Sequence, residues 1–112
     1  EDHMPTLLVA ADIPSRQHRA HLAHLLTEAV ISHLPIVPAN KVQIFFDPPA
    51  AGRPAIDARI IGPAPAGLAG ALRKAIGEPS ARVVVHSYEP DHTARGGVLR
   101  EWPPAAEAGA GA

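Results

Sequence analysis

A strand–helix–strand pattern occurs twice along the 112-residue chain, and this repetition restricts the fold more than any other feature of the sequence. In the first copy, the apolar run at residues 6–11 predicts a buried strand. Apolar residues at helical spacing follow it, with Ser15 as the predicted N-cap and Pro35 directly after the last helical residue, Leu34. Residues 41–46 alternate between two faces and predict a second strand, which completes a β-α-β unit.

The second copy repeats this order, with a strand at residues 55–61, a short helix at 66–76 and a strand at 81–88. Prolines at equal spacing bracket the first strand of each copy: Pro5 and Pro14, then Pro54 and Pro63. The equal spacing suggests a degenerate internal duplication. The order β-α-β-β-α-β predicts an α/β (α+β) domain, built as a two-layer sandwich with both helices on one face of the sheet.

The carboxyl-terminal part of the chain continues beyond the second copy. Residues 89–102 contain the pair Gly96 and Gly97 within an alternating pattern, which predicts a short hairpin or arm. We expect the domain to span residues 5–104. Residues 105–112 consist of Ala and Gly with one Glu, and they are predicted to be a disordered tail.

Composition and charge exclude several classes of function. The formal net charge is −1, and Lys and Arg do not cluster with aromatic residues, so we expect no nucleic-acid partner. The chain has no cysteine, which excludes disulfides and thiolate chemistry. No run of apolar residues is long enough to span a bilayer, and we expect a soluble cytoplasmic protein with no membrane partner. We also expect no cofactor.

Met4 and Pro5 stand directly before the first strand. We interpret residues 1–4 as a remnant that ends in an initiator methionine, so that the mature chain would begin at Pro5. A terminal proline is a secondary amine, and an α-amino group has an ordinary pKa of ~8 that burial lowers. Such an amine can take a proton from a carbon next to a carbonyl. The alternative is that Pro5 only begins an edge strand.

Arg59 stands in an otherwise apolar strand, where its guanidinium is suited to bind a carboxylate or an enolate oxygen. Asp57 shares its face at two-residue spacing, so the alternative is an ion pair on the solvent face. Both interpretations remain open from the sequence.

Three histidines recur at every third position of the first helix: His18, His21 and His24. Two imidazoles at helical spacing can bind zinc. Because no third acidic or cysteine ligand is near them, the sequence favours a solvated helix face, and we expect no metal site.

Three parts of the sequence resemble a known family: the start of the first unit, the turn between its helix and its second strand, and the segment that contains Gly96 and Gly97. Met4 and Pro5 lead directly into a strand, and Val37 and Pro38 separate the first helix from the second strand. Residues 92–97, His-Thr-Ala-Arg-Gly-Gly, are similar to the hairpin of the 4-oxalocrotonate tautomerase branch. The chain resembles the tautomerase superfamily, and its two fused units resemble macrophage migration inhibitory factor and malonate semialdehyde decarboxylase.

This resemblance implies a homotrimer in which Pro5 is the general base for keto–enol proton transfer on a small keto or enol acid. It implies that His86 and Tyr88 line the pocket of a neighbouring subunit, where they polarise a carbonyl, and that Arg59 holds the anion. The alternative for His86 and Tyr88 is a structural contact between subunits. Arg95 in the glycine arm would reach a neighbouring site or lie in solvent.

Several arginines of the characterised branches have no counterpart in this sequence. Pro14 stands where the bacterial isomerases have an arginine after the first strand, and Gln43 stands at the position of their second-strand arginine. Gln43 is therefore the candidate substrate-binding residue at that position. Because these arginines are missing, the resemblance does not extend to a dicarboxylate substrate. The alternatives are a hydratase or decarboxylase of the same superfamily, or a non-catalytic ferredoxin-like oligomeric binding module.

Overall fold

The computed structural model describes residues 4–101, in which the two copies of the pattern form one four-stranded sheet covered by two helices. The predictions made for residues 1–3 and for the chain beyond residue 101, including the disordered tail, lie outside the described residues. No helix among residues 4–101 is long and apolar enough to cross a membrane.

The elements follow the predicted order along the chain. The first copy consists of β1 (Thr6–Ala10), α1 (Arg16–His33) and β2 (Gln43–Asp47). The second copy consists of β3 (Ile56–Ile61), α2 (Leu68–Ile76) and β4 (Val83–Tyr88). A two-stranded hairpin follows, with β5 (Ala94–Arg95) and β6 (Val98–Leu99), which agrees with the predicted terminal hairpin.

The sheet has the strand order β2-β1-β3-β4. The two strands of each copy are parallel to one another, because a helix connects them, whereas the central strands β1 and β3 are antiparallel. The two copies therefore meet along one central strand pair. The predicted two-layer β-α-β-β-α-β architecture is confirmed.

Alternation along the strands places one apolar set of side chains under the helices. Leu7, Val9, Ile56, Ala58 and Ile60 are at most 2% exposed on that face. The helices contribute five further buried residues to the same cluster: Leu22, Leu26, Val30, Leu68 and Leu72. Burying a large aliphatic side chain contributes about 1.5–3 kcal/mol, so this shared layer is the main source of stability.

The predicted ends of α1 are confirmed. The Ser15 hydroxyl accepts a hydrogen bond from the His18 backbone N–H at 3.2 Å, which satisfies one of the free donors of the first turn. Leu34 is the C-cap, and its N–H donates to the Val30 carbonyl oxygen at 2.8 Å.

Three predicted starting points were wrong by two residues. β2 begins at Gln43 rather than at residue 41, because a 3-10 turn occupies Ala39–Lys41. The helix α2 begins at Leu68 rather than at residue 66, because Gly67 has a left-handed φ of 86° that cannot continue a helix. β4 begins at Val83 rather than at residue 81.

Candidate functional site

The face of the sheet opposite the helices carries most of the predicted site residues, and we call it the open face. It includes the strand residues that alternate with the buried set: Thr6, Leu8, Gln43, Phe45, Asp47, Asp57, Arg59, Ile61, Val84, His86 and Tyr88. Phe45 is 47% exposed there, although it is one of the largest apolar side chains of the protein. Within residues 4–101 no helix covers this face.

Strand register places three predicted residues in one row across the open face. Thr6 of β1 pairs with Gln43 of β2 on one side and with Arg59 of β3 on the other. Arg59 in turn pairs with His86 of β4. Because neighbouring strands lie about 4.8 Å apart, Gln43 and His86 stand at opposite ends of a row that crosses the whole sheet.

Asp57 connects two of these residues. Its Oδ1 atom lies 3.3 Å from Arg59 Nε, which donates a hydrogen bond to it, and 3.4 Å from His86 Nε2. The Asp57 side chain is 17% exposed, against 50% for Arg59 and 40% for His86, so the carboxylate is the inner member of the group. We call Asp57, Arg59 and His86 the charged cluster.

The charged cluster has a defined electrostatic effect on Arg59. The hydrogen bond to Asp57, followed by the negative charge of Asp57, raises the pKa of the Arg59 guanidinium above its ordinary value. Arg59 is therefore a permanent cation whose Nε is already in use. Among residues 4–101 its two terminal nitrogens make no hydrogen bond, and they remain available to an anion.

Tyr88 extends the cluster towards the end of the sheet. Its ring centroid lies 6.4 Å from that of His86, and it pairs with Ile61 at the last position of β3. The Gly62 N–H donates to the Tyr88 carbonyl oxygen at 2.8 Å, and the Ser87 hydroxyl donates to the Gly62 carbonyl oxygen. These bonds fix the end of β4, and with it the position of Tyr88.

Pro5 lies at the same end of the sheet but not on the open face. It directly precedes β1, it is less than 2% exposed, and it shares the parity of the buried residues Leu7 and Val9. Its carbonyl oxygen accepts a hydrogen bond from the Gln43 N–H at 3.0 Å. The structure therefore brings Arg59 and His86 together, with Gln43 in their row and Tyr88 beside them, and places the Pro5 ring on the other side of the sheet.

Arg95 and the helix histidines lie away from the charged cluster. Arg95 is exposed in the terminal hairpin. His18, His21 and His24 are all exposed, as expected for a solvated helix face. Glu28 Oε1 lies 3.8 Å from His24 Nε2, one helical turn further along, which is an exposed pair of two residues rather than a set of three ligands.

Two groups of polar residues escaped the sequence reasoning. Asp57 appeared only as a competing partner of Arg59, and its contact with His86 depends on the pairing of β3 with β4. Glu89, Asp91 and His92 form a short turn in which one ligand atom of each lies within 4.8 Å of the others. All three side chains are exposed, and exposed acidic groups are common without a metal ion.

Comparisons with known proteins show the fold. No family model matches the chain, and no curated protein matches it by sequence. Among solved structures, native fused 4-OT superimposes with a TM-score of 0.60 at 16% identity, and an F6 fused 4-OT asymmetric trimer with 0.57 at 18% identity. Each alignment covers 85% of this chain and 94% of the other.

A third similar structure is N1, a member of the cis-3-chloroacrylic acid dehalogenase family. It aligns with a TM-score of 0.53 at 19% identity over 93% of this chain and 87% of N1. The alignments span both strand–helix–strand copies, so this chain shares the fold of two fused β-α-β units with these proteins.

Proposed function

We propose that this chain is a tautomerase-superfamily enzyme that moves a proton on a small keto or enol acid, with Pro5 as the general base when Pro5 is the first residue. The observation that carries the proposal is the position of Pro5. It is fully buried at the start of the central strand β1, and the Gln43 N–H fixes its carbonyl oxygen. The shared fold with fused 4-OT structures supports the same assignment.

Burial of Pro5 matters because of the charge on its nitrogen. An α-amino group has an ordinary pKa of ~8, and an apolar environment disfavours the cation and lowers that pKa. A terminal Pro5 would therefore be a neutral base near neutral pH. Because only the neutral amine accepts a proton, activity should rise as pH rises through the pKa of the amine. With residues ahead of it, the nitrogen is an amide and has no basic lone pair.

The charged cluster supplies the anion-binding half of the proposal. The terminal nitrogens of Arg59 would bind the substrate carboxylate or enolate, while Asp57 holds the guanidinium in orientation through Nε. His86 or Tyr88 would polarise the substrate carbonyl. Gln43 would donate a hydrogen bond from the far end of the same row.

Pro5 and Arg59 lie on opposite sides of one sheet, which favours a site shared between subunits. In a homotrimer, the open face of one subunit would complete the pocket around Pro5 of the next. The fused 4-OT structures with this fold include asymmetric trimers, which supports self-association here. Arg95 in the exposed hairpin would then reach a neighbouring subunit.

The decisive experiment compares two forms of the same chain, one beginning at Pro5 and one beginning at Met4. Both keep every side chain of the fold, but only in the first is the nitrogen of Pro5 a basic amine, because in the second it is an amide and the free amine is on Met4. We expect ketonisation of phenylenolpyruvate by the form that begins at Pro5, and loss of about 10²-fold or more in the other form and in Pro5→Ala. Equal rates in the two forms would rule out the proline base.

A second pair of variants separates substrate binding from proton transfer. Arg59→Gln should raise KM with a smaller effect on kcat, whereas Pro5→Ala should lower kcat. Glu101→Gln, an exposed position outside the site, is the matched control and should leave both constants unchanged. A monomeric mass in solution would contradict the shared site.

One observation favours a second function. Asp57 is paired with Arg59 and also contacts His86. Charges that are paired within one subunit can stabilise a surface without binding a ligand. A non-catalytic oligomeric binding module with this fold would keep its self-association in Asp57→Asn and would show no proton transfer with a free Pro5. A hydratase or decarboxylase would instead turn over other small acids with the same dependence on a free Pro5.

A further inference from the structure

Asp57 lies between Arg59 and His86, and it contacts a different kind of nitrogen on each side. Its Oδ1 atom accepts a hydrogen bond from Arg59 Nε at 3.3 Å and lies 3.4 Å from His86 Nε2. The guanidinium carries a proton on every nitrogen, whereas a neutral imidazole carries its proton on only one of two nitrogens. The contact with His86 therefore bears on which of its nitrogens is protonated.

The carboxylate of Asp57 favours a proton on Nε2 of His86. If Nε2 were deprotonated, its lone pair would face a negatively charged oxygen at 3.4 Å, and the two would repel. With the proton on Nε2, the positive end of the N–H dipole faces the carboxylate, and the interaction is attractive. Because the Asp57 side chain is only 17% exposed, water screens this interaction less than at an open surface. The contact therefore favours the Nε2–H tautomer.

The second nitrogen of His86, Nδ1, is a hydrogen-bond acceptor in this tautomer. It has a lone pair and no proton. The His86 side chain is 40% exposed, and within residues 4–101 its Nδ1 makes no hydrogen bond. Such an acceptor binds a hydroxyl group that donates a hydrogen bond, but it repels a carbonyl oxygen, which has lone pairs only.

The two neighbours of His86 on the open face are hydrogen-bond donors. Arg59 stands opposite His86 in the pairing of β3 with β4, and its terminal nitrogens carry only donors. The Tyr88 ring centroid lies 6.4 Å from that of His86, and after Asp57 it is Tyr88 that raises the pKa of Arg59. The phenolic hydroxyl of Tyr88 can donate to a carbonyl oxygen. The open face thus presents two donors and one acceptor next to one another.

We propose that Asp57 is a positioning residue for His86. It holds the ring as the Nε2–H tautomer, so that Nδ1 accepts a hydrogen bond from a hydroxyl group of the substrate. This inference rests on the proposed function, because it assigns roles within the same site. Of the two residues considered for the substrate carbonyl, Tyr88 is the donor, whereas His86 binds the hydroxyl of the enol form. Arg59 holds the carboxylate next to that hydroxyl.

The first test measures the tautomer and needs neither a substrate nor a free Pro5. In the full chain labelled with ¹⁵N-histidine, long-range ¹H–¹⁵N NMR distinguishes protonated from unprotonated ring nitrogens at a pH at which the rings are neutral. His86→Gln identifies the signals of His86. We expect a single Nε2–H tautomer for His86 and a mixture of tautomers for the exposed His18 and His21. A proton on Nδ1, or a mixture like that of His21, would overturn the proposal whatever the activity.

Two variants test whether Asp57 is the cause of the single tautomer. Asp57→Ala removes the carboxylate, and His86 should then show the mixture of tautomers seen for the exposed histidines. Asp47→Ala is the matched control, because it removes a carboxylate from the same face of the sheet, one that pairs with Arg53. His86 should keep its single tautomer in that variant. A single tautomer in Asp57→Ala, or a mixture in Asp47→Ala, would contradict the positioning role.

The second test asks what His86 Nδ1 binds, by NMR titration of the full chain with three acids. 3-Phenyllactate has a hydroxyl next to its carboxylate, 2-methoxy-3-phenylpropanoate has the same oxygen without the proton, and 3-phenylpropanoate lacks the oxygen. We expect 3-phenyllactate to bind about tenfold more tightly than either of the others, and this preference should vanish in His86→Leu. Equal affinities, binding of none of the acids, or an unchanged preference in His86→Leu would overturn the proposal.

Failure of this inference can be distinguished from failure of the proposed function. Equal rates for the chains that begin at Pro5 and at Met4 would rule out the proline base, but they would leave the tautomer of His86 and its preference for a hydroxyl unchanged. Conversely, a proton on Nδ1 would remove the role of Asp57 while the dependence on a free Pro5 remained.

Discussion

The two strand–helix–strand copies share a topology but differ in their helices and in the open faces of their strands. In the first copy, α1 has 18 residues and begins at a serine cap, and the open face presents Thr6, Leu8 and Phe45 with one charged strand residue, Asp47, at the end of β2. In the second copy, α2 has nine residues and lies between two left-handed glycines, Gly67 and Gly77. Its strands carry the charged cluster.

This difference divides the proposed chemistry between the two copies, while both helices contribute to one core. The long helix of the first copy anchors the shared apolar layer through Leu22, Leu26 and Val30. The second copy contributes the charges that would bind an anion, and its short helix buries Leu68 and Leu72. The first copy supplies the proposed base, and the second supplies the groups that the base cannot provide.

The strongest test asks whether the two copies are one folding unit. Leu26 of α1 and Leu72 of α2 are each fully buried in the same cluster. We expect Leu26→Ala and Leu72→Ala each to lower the free energy of unfolding by about 2–5 kcal/mol, because each leaves a cavity in the shared core. Urea unfolding at fixed protein concentration, followed by circular dichroism, measures this change.

The control for these variants is Leu25→Ala, one residue away on the outer side of α1. Leu25 is 37% exposed, so its truncation should cost clearly less than that of Leu26. A two-step unfolding curve in Leu72→Ala, with the first copy surviving the loss of the second, would contradict a single cooperative unit.

A smaller effect is expected at the helix starts. Ser15→Ala removes the cap of α1 and should cost about 1 kcal/mol. Gly67→Ala should cost about 1–2 kcal/mol through its left-handed φ of 86°, since the nearest atom to an added Cβ is His33 Nε2 at 3.5 Å, which leaves room for it. Thermal unfolding of the two variants compares a side-chain cap with a backbone requirement.

Gly70→Ala is the matched control within α2. An added Cβ there meets nothing within 4 Å, so the variant should gain about 0.5–1 kcal/mol from the lower entropy of the unfolded chain. If Gly67→Ala were also stabilising, the left-handed conformation would not be a requirement of the helix start.

The smallest expected effect concerns ion pairs. Asp57→Asn should lower stability by less than about 1 kcal/mol, but by more than Asp47→Asn, which breaks the Asp47–Arg53 pair of the first copy. The reason is solvent screening, since the Asp57 side chain is 17% exposed and that of Asp47 is 41% exposed. Chemical unfolding of both variants in low and high salt measures the difference, and equal losses would refute it.

The Asp57–Arg59 pair also predicts how its contribution to stability depends on pH. Asp57 raises the pKa of Arg59, so the stabilisation is complete below the unfolded pKa and is lost only as pH rises through the still higher folded pKa, far above neutral pH. The stability difference between Arg59→Gln and the parent should therefore be the same at pH about 6 and about 9. A loss that grows between these values would show that another titrating group controls the pair.

The sequence predicted the local structure better than the site. The periodicity of apolar residues predicted the order of the elements. Capping residues predicted both ends of α1, because Ser15 and Pro35 affect only the backbone next to them. The start of α2 was placed too early because the φ of Gly67 depends on where the chain must turn onto the sheet. The start of β2 was also placed too early, because the 3-10 turn at Ala39–Lys41 likewise depends on where the chain turns onto the sheet.

The charged cluster depended on contacts that local patterns do not encode. Asp57 and Arg59 share a face by alternation alone, and the sequence identified that pair as an alternative. His86 joins them only because β4 pairs with β3 in a register that sets it beside Arg59, which is a contact between distant parts of the chain. The side of the sheet on which Pro5 lies followed from its parity with Leu7, a step that the sequence reasoning did not take.

The central pair of β1 and β3 has a consequence for assembly. Leu7 opposite Ala58 and Val9 opposite Ile56 join the two copies, and residues 48–55 connect them covalently. The two halves therefore meet at a high effective concentration, whatever the amount of protein in solution. Dilution cannot separate them, whereas any contact between separate chains weakens on dilution, so lowering the protein concentration isolates the fold from its assembly.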